Sequence, residues 1–234
     1  MRGQNKLVLE EYMTEQSQDN GQFVSKSTPI IKVIGCGNCG AKLIDMMLEK
    51  GIDRVEFSVL DTDKDFLENI SCPKKSLIGR NIANGQGAGG LKDIGKAAAE
   101  EDALLIAELV KNANLAIVLA GMGGGTGTGA APVVADIAKK QGCNTLAFVT
   151  IPFNFEGSVK KEQAEEGIKE LQKKIDGIVT IPLQKFLETN RNMSFDNVDN
   201  HIADAISQRI KKIADYITSK GNENITIAEL INLM

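Results

Sequence analysis

The chain has 234 residues, 42% of them hydrophobic, and a net charge of −4, enough for one large core or about one and a half ordinary domains. Aromatic residues make up only 4% and tryptophan is absent, so the core must be built from Ile, Leu, Val and Ala. No concentrated basic stretch supports nucleic-acid binding, and there is neither a run of roughly 20 apolar residues nor a signal-peptide core after MRGQNK, so a cytoplasmic protein without a membrane span is expected.

Residues 1–28 are polar and unpatterned apart from an apolar cluster at 7–13, and read as a flexible tail. From Ile30 onward, short apolar runs alternate with amphipathic segments. Strands are predicted over 30–34, 55–60, 76–78, 115–120, 145–151 and 177–181, and helices over 41–50, 91–111, 131–140 and 158–175. This alternation predicts an α/β fold, a Rossmann-like parallel sheet with helices on both faces, whose ligands bind beyond the carboxyl ends of the strands. A last long helix is predicted over 198–218, where Ile202, Ile206, Ile210, Ile213 and Ile217 recur every three or four residues and set one stripe against a core. Residues 220–224 break the pattern, and 225–234 form a short apolar end fit to dock on the body or on another subunit. The expected division is a tail over 1–28, a nucleotide-binding domain over 29–218 that includes the long helix, and a short segment over 219–234.

Three glycine-rich loops punctuate this pattern. GCGNCG, residues 35–40, leaves the first strand and opens a helix, with Asp61 about 20 residues further on, as in a Rossmann unit that holds NAD. GQGAGG follows at 85–90. GMGGGTGTG, residues 121–129, has six glycines in nine positions between an apolar run and a helical pattern. Glycines there let the backbone turn tightly, approach a ligand and aim N–H groups at an anion. Thr126 and Thr128 add hydroxyls, and the following helix adds its positive end. A flexible linker is the bland reading, but linkers are not usually wedged between a buried strand and an amphipathic helix. Three such loops suggest a triphosphate surrounded by backbone amides, with NAD on the first loop as the alternative. The G-x-x-x-x-G-K-[ST] spacing of a Walker loop is absent.

Cys36 and Cys39 have C-x-x-C spacing, open to a metal or dithiol reading or to one of small residues in a loop; Cys72 and Cys143 stand alone and His201 is the only histidine. Lys160 and Lys161 open the helix at 158–175 with the unfavourable sign for an N-terminus, which suits either a nearby anion or a solvated face.

GMGGGTGTGAAPVVADIAK resembles the signature loop and helix of the tubulin/FtsZ superfamily, closer to FtsZ than to tubulin. The likeness runs over approximately residues 30–216, through IKVIG and its G-x-G-x-x-G, DTD at 61–63, GQGAGG at 85–90, IPFNFEG at 151–157 and IPLQKFLE at 181–188. It implies a site for GTP or GDP with Mg2+. Gly35, Gly37, Asn38 and Gly40 would form the first phosphate-side loop, and Asp63 would lie near the metal and phosphates. Ala88 and Gly89 would meet the γ-phosphate, while Gly123, Gly124, Gly125, Thr126, Gly127 and Thr128 would cradle the α- and β-phosphates. Glu156 would bond the ribose, Phe195 would stack on the base and Asp199 would accept from guanine N1 and N2, with Lys160 where an Arg is usual. An Asp suits guanine, whose two adjacent donors match two carboxylate oxygens; a helix N-cap or first-turn acid is the other reading of Asp199.

Departures from the family pattern fall at Ala41, Leu183 and Gln184, where the family has residues that help hold base or ribose, and at Ile151, which replaces an Arg. Base contacts are thus thinned, and guanine preference is expected to rest on Asp199. ELINLM ends at Met234 where the family's catalytic acidic loop would begin. The chain is therefore expected to supply no catalytic residue of its own and to hydrolyse GTP weakly or not at all. The resemblance implies an FtsZ-like GTP-binding protein that takes part in or modulates filament assembly, with itself or full-length FtsZ-like subunits as partners. A GTPase completed in trans by a partner subunit and an NAD or other nucleotide sensor are the alternatives.

Overall fold

The computed structural model describes residues 29–52, 54–189, 197–220 and 227–233; the expected tail over 1–28 and Phe195 lie outside the described residues. Six strands, β1 (Ile31–Cys36), β2 (Val55–Asp61), β3 (Lys75–Leu77), β4 (Leu115–Gly121), β5 (Asn144–Ile151) and β6 (Gly177–Pro182), form one sheet. Their order is β3-β2-β1-β4-β5-β6 and every neighbouring pair is parallel. Each predicted strand is present, displaced by at most two residues at either end.

A parallel sheet covered on both faces needs strands that are apolar on both sides. Along β4, Leu115, Ile117 and Leu119 enter one core, while Ala116, Val118 and Ala120 enter the other. The second core takes helices α3 (Lys92–Glu101), α4 (Ala103–Val110), α5 (Gly125–Lys140) and α6 (Ser158–Gln172). The first takes α1 (Gly37–Leu48), the short α2 (Lys64–Glu68) and α7 (Leu183–Thr189), the long α8 (Val198–Lys220) and α9 (Ile227–Ile231). The isoleucine stripe of α8 is buried throughout, from Ile202 to Ile217, as the 3.6-residue period requires.

Two expectations are corrected, and one choice that the sequence left open is resolved. The helix predicted over 91–111 is two helices that meet at Asp102 (φ −103, ψ 29), where the carboxylate accepts the Gly79 amide at 2.6 Å. The helices predicted from 41 and 131 begin at Gly37 and Gly125, so half of each glycine loop is a first turn. The apolar end, open to two readings, docks on the body: Leu230 is buried, and Tyr216 Oη donates to Glu229 at 2.7 Å. Among the described residues no helix is long and apolar enough to cross a membrane.

The order places β1 beside both β2 and β4. The connections from β1 to β2 and from β4 to β5 leave the two central strands β1 and β4 in opposite directions, opening a crevice between their carboxyl ends. The first and third glycine loops begin at Cys36 and Gly121, at these ends.

Candidate functional site

A cleft of about 690 Å3 occupies this crevice, within the roughly 300–1,000 Å3 of small-ligand sites. Its walls come from the starts of α1 and α5, Asp61 at the end of β2 and Asp63 beyond it, the 86–91 loop, the end of β5, and one face of α6. Of the expected site residues, Gly37, Asn38, Asp63, Ala88, Gly89, Gly123, Gly124, Gly125, Thr126, Gly127, Glu156 and Lys160 line it.

The glycines divide by what a side chain would meet. Gly89 and Gly124 have nothing within 4 Å of a Cβ position and leave open space above the backbone. Gly35 and Gly40 do not line the cleft; they face each other beneath it, where a Cβ on Gly35 would stand 2.6 Å from Gly40 O. Gly127 packs on its own strand, a Cβ there standing 2.6 Å from Gly121 O. Of residues 121–129 only Gly123 has positive φ, at 99°. Most of these glycines therefore serve close backbone approach rather than an unusual turn.

Helices α1 and α5 both start in the cleft without a side-chain cap and without an acid in the first turn. Their first amide N–H groups have no intrahelical partner and carry the positive end of the helix dipole. Thr126 Oγ1 pairs with Thr62 Oγ1 at 2.6 Å, tying α5 to the end of β2. Thr128 lies behind the wall and accepts the Gly123 amide at 2.8 Å, which fixes the tight turn. Thr128→Val keeps the shape but strands that buried N–H, and is expected to cost about 1–3 kcal/mol in urea-unfolding free energy; a loss under about 0.5 kcal/mol would remove this role.

The loops after β2 and at 85–90 are zipped together. Lys64 N donates to Gly85 O at 2.9 Å, Gly87 N donates to Thr62 O at 3.1 Å, and Asp63 bridges Gln86. Asp63 Oδ1 caps α2 by accepting Phe66 N at 2.9 Å. Asp61, on the floor, is fully buried. Its Oδ1 accepts the amides of Thr62 at 2.6 Å and Asp63 at 3.1 Å, and Oδ2 has no hydrogen-bond partner among the described residues. Burial outweighs these amides and, with the Asp63 charge, pushes the Asp61 carboxyl up to about 6.

At the other end, Glu156 accepts Phe153 N at 2.8 Å and pairs with Lys160, so the anion beside Lys160 belongs to the chain itself. Asp199 is exposed in the first turn of α8 and is not on the cleft wall. Its charge nevertheless reaches the cleft: burial first, then the charges of Asp199 and Glu156, push the Cys39 thiol up against the Thr150 hydrogen bond and Lys42. Cys39 Sγ lies 3.4 Å from Thr150 Oγ1. All four cysteines are free, burial pushes Cys36 up to about 12, and among the described residues no three His, Cys, Asp or Glu are grouped to hold a metal. A buried thiol so hard to ionise suits neither thiolate ligation nor dithiol exchange. Of the departures, Leu183 lines the cleft, Ala41 is buried in α1 and Gln184 turns away to Glu188 at 2.8 Å.

Sequence reasoning placed Asp61 in a Rossmann unit and a DTD motif without assigning it to the cleft floor, and it missed Gln163 and the apolar rim. Leu91, Phe155 and Val159 are 57%, 70% and 78% exposed, with Leu91 and Val159 on the wall and Phe155 stacked on Phe153 at 5.1 Å. Isolated apolar residues carry no periodic signal, and nothing in the sequence marks them as a set.

The doubly wound sheet and its glycine-walled cleft define a nucleotide-binding type of α/β domain. The chain belongs to the Tubulin/FtsZ family, residues 30–191 matching the model of its GTPase domain. It is 43% identical over 202 residues to the cell division protein FtsZ of Helicobacter pylori strain J99, a match covering 86% of this chain and 52% of the relative. With that of Buchnera aphidicola subsp. Baizongia pistaciae it shares 39% over 206 residues, 88% and 54% of the two chains. The chain thus spans about half the length of these relatives. An empty FtsZ dimer from M. jannaschii superposes with a TM-score of 0.77 at 34% identity, covering 94% of this chain and 62% of that one. A GTPgS-bound protofilament of CetZ2 from Haloferax volcanii gives 0.72 at 25%, covering 87% and 62%.

Proposed function

We propose that the cleft binds GTP or GDP with Mg2+ and that the chain takes part in or modulates assembly of an FtsZ-like filament. The observation that carries this reading is the convergence of two uncapped helix starts and the 85–90 loop on one cleft at the strand-order switch. Anions bind where unpaired amides and a helix dipole point together. In this reading Gly37 and Asn38 hold one side of the phosphates, Gly123 to Gly127 cradle the α- and β-phosphates, and Ala88 and Gly89 meet the γ-phosphate. Glu156 and Asp199 take ribose and base at the Cys39 end, with Phe195 stacking and Lys160 orienting Glu156. Gly35, Gly40 and Thr128 act from behind, by shaping the loops.

The donors fit a hard divalent cation. Asp63 and the unpartnered Oδ2 of Asp61 offer carboxylate oxygens, and Mg2+ commonly binds through one or two carboxylates with phosphates and waters completing its shell. A bound Mg2+ would offset phosphate charge.

The same carboxylates support slow hydrolysis by the chain alone. Asp63 caps a helix, Asp61 is buried beneath its loop, and Glu156 is held by Lys160 and an amide. In this reading Asp61 and Asp63 are taken up by the cation and Glu156 by Lys160, which leaves no carboxylate of the described cleft to position a water, on which phosphoryl transfer depends. The exposed apolar residues around the mouth suit closure by another subunit, which could bring that group; the relatives solved as a dimer and as a protofilament support this.

Calorimetric titration of nucleotide-stripped protein with GTP, GDP, ATP and NAD in Mg2+ tests the reading. Binding of GTP and GDP at least tenfold tighter than ATP, with none of NAD, is expected; preference for NAD or no binding at all would overturn it. Phosphate release with and without full-length FtsZ-like subunits then separates weak intrinsic turnover from activity completed in trans.

A further inference from the structure

The two glycine loops that face the phosphates in the foregoing reading meet backbone to backbone, a Cβ on Gly125 standing 2.9 Å from Leu91 N, and Thr62 ties both to β2 from one side. A carboxamide joins them from the other. Gln163, half-buried on the cleft side of α6, donates from Nε2 to Gly90 O at 2.9 Å, Gly123 O at 2.8 Å and Gly124 O at 3.3 Å. Its Oε1 accepts Lys92 N at 3.3 Å. That amide is the first of α3, whose own N-cap, Leu91, offers no side-chain acceptor. One side chain therefore caps α3, ends the 85–90 loop and fixes the turn before α5. Further along α6 the same residue is gripped again, where the Lys92 ammonium pairs with Glu166 at 3.0 Å and Glu170 at 3.4 Å.

We propose that Gln163 is a positioning residue for the phosphate site: it sets the spacing between the 88–90 and 123–125 loops and so favours a ligand that touches both. This rests on the proposed nucleotide reading. A triphosphate reaching from the α- and β-phosphate cradle to the γ-phosphate loop depends on that spacing. A diphosphate held by the 123–125 turn alone depends on it much less. A carboxamide is the right group, because the three carbonyls need a donor and Lys92 N needs an acceptor.

The test uses Gln163→Met, which keeps length and helix propensity without hydrogen bonds, and Gln163→Glu, which turns an acceptor-only group toward three carbonyls. In the nucleotide-free chain, amide hydrogen exchange at 88–92 and 122–125 is expected to quicken about tenfold or more in both variants, with the α8 amides unchanged. The Kd for GTP with Mg2+ should weaken about tenfold and that for GDP less than threefold, with Gln163→Glu the worse of the two. Loop exchange at the parent rate, or equal weakening of GTP and GDP, would overturn the proposal. If the parent chain binds neither nucleotide, the nucleotide reading fails, and unchanged or quickened loop exchange still decides whether Gln163 joins the loops.

Discussion

Gly129→Ala is expected to lower the stability of the chain by about 3 kcal/mol, a fall in Tm of roughly 6–12 °C for a domain of this size. Intrinsic propensity alone favours alanine by about 1 kcal/mol inside a helix, so the sign of the change reports on packing. A Cβ at Gly129 would overlap Lys92 O and Lys96 N and stand 2.8 Å from Gly95 C, all backbone atoms of α3. The contact is reciprocal: a Cβ at Gly95 would overlap Gly125 O and stand 2.9 Å from Thr126 Cα. Backbone cannot swing aside as a side chain does, so α3 must shift as a body, carrying Leu91 and the 85–90 loop away from the cleft. Gly124→Ala is the matched control, with φ at −83° and nothing within 4 Å of its Cβ; as the N-cap of α5 it should lose no more than about 1 kcal/mol, well short of Gly129→Ala. A Gly129→Ala protein melting within about 2 °C of the parent would show that α3 and α5 separate at little cost.

That pair of helices shows where the sequence was readable and where it was not. The strands were legible because β4 is buried on both faces and reads as an unbroken apolar run, while β1 is interrupted only by Lys32 and β5 is polar only toward its ends. The isoleucine stripe of α8 was legible for the same reason at another period. The helix starts were not. Gly37 to Gly40 and Gly125 to Gly129 read as loop, since glycine is a poor helix former, and only the partner backbones show why it stands there. The break at Asp102 was hidden because its partner, the Gly79 amide, lies 23 positions away. At the cleft, the glycine loops suggested a phosphate site by composition, whereas Gln163 acts through contacts 39 to 73 positions distant and leaves no local trace. Asp199 remained open between first-turn acid and base acceptor. The structure places it in the first turn, exposed and off the cleft wall, with its charge felt at Cys39.

Asp61→Asn should stabilise the nucleotide-free protein at pH 7.5 by about 2 kcal/mol and destabilise it by about 1 kcal/mol near pH 4. The Asp61 carboxyl, ordinarily 3.8, is pushed up to about 6 by burial. Below pH 4 folded and unfolded chains both carry the proton, and the group costs nothing. From about pH 4 to 6 the unfolded chain has released its proton while the folded chain retains it, so stability falls as pH rises. Above pH 6 the fold holds a buried charge whose Oδ2 has no hydrogen-bond partner among the described residues, at a cost of roughly 3 kcal/mol. Asparagine keeps the oxygen that accepts the Thr62 and Asp63 amides and cannot ionise; its buried NH2 group offsets about 1 kcal/mol of the gain. Asp136 and Asp176 are held below their ordinary range by lysine and threonine partners despite burial, so their stability is present above pH 4 and lost on acidification, equally in parent and variant. The difference between the two urea-unfolding curves across pH 4–8 therefore isolates Asp61, and a gain independent of pH would exclude its titration as the cause. Adding Mg2+ with GDP should reverse the order. If Asp61 Oδ2 faces the cation, the charge that burdens the empty fold becomes a ligand, and the parent alone gains the linkage energy of tighter binding. A destabilised carboxylate in the empty cleft and a stabilised one in the filled cleft are the same residue seen on two sides of one equilibrium, as expected where stability is given up for binding.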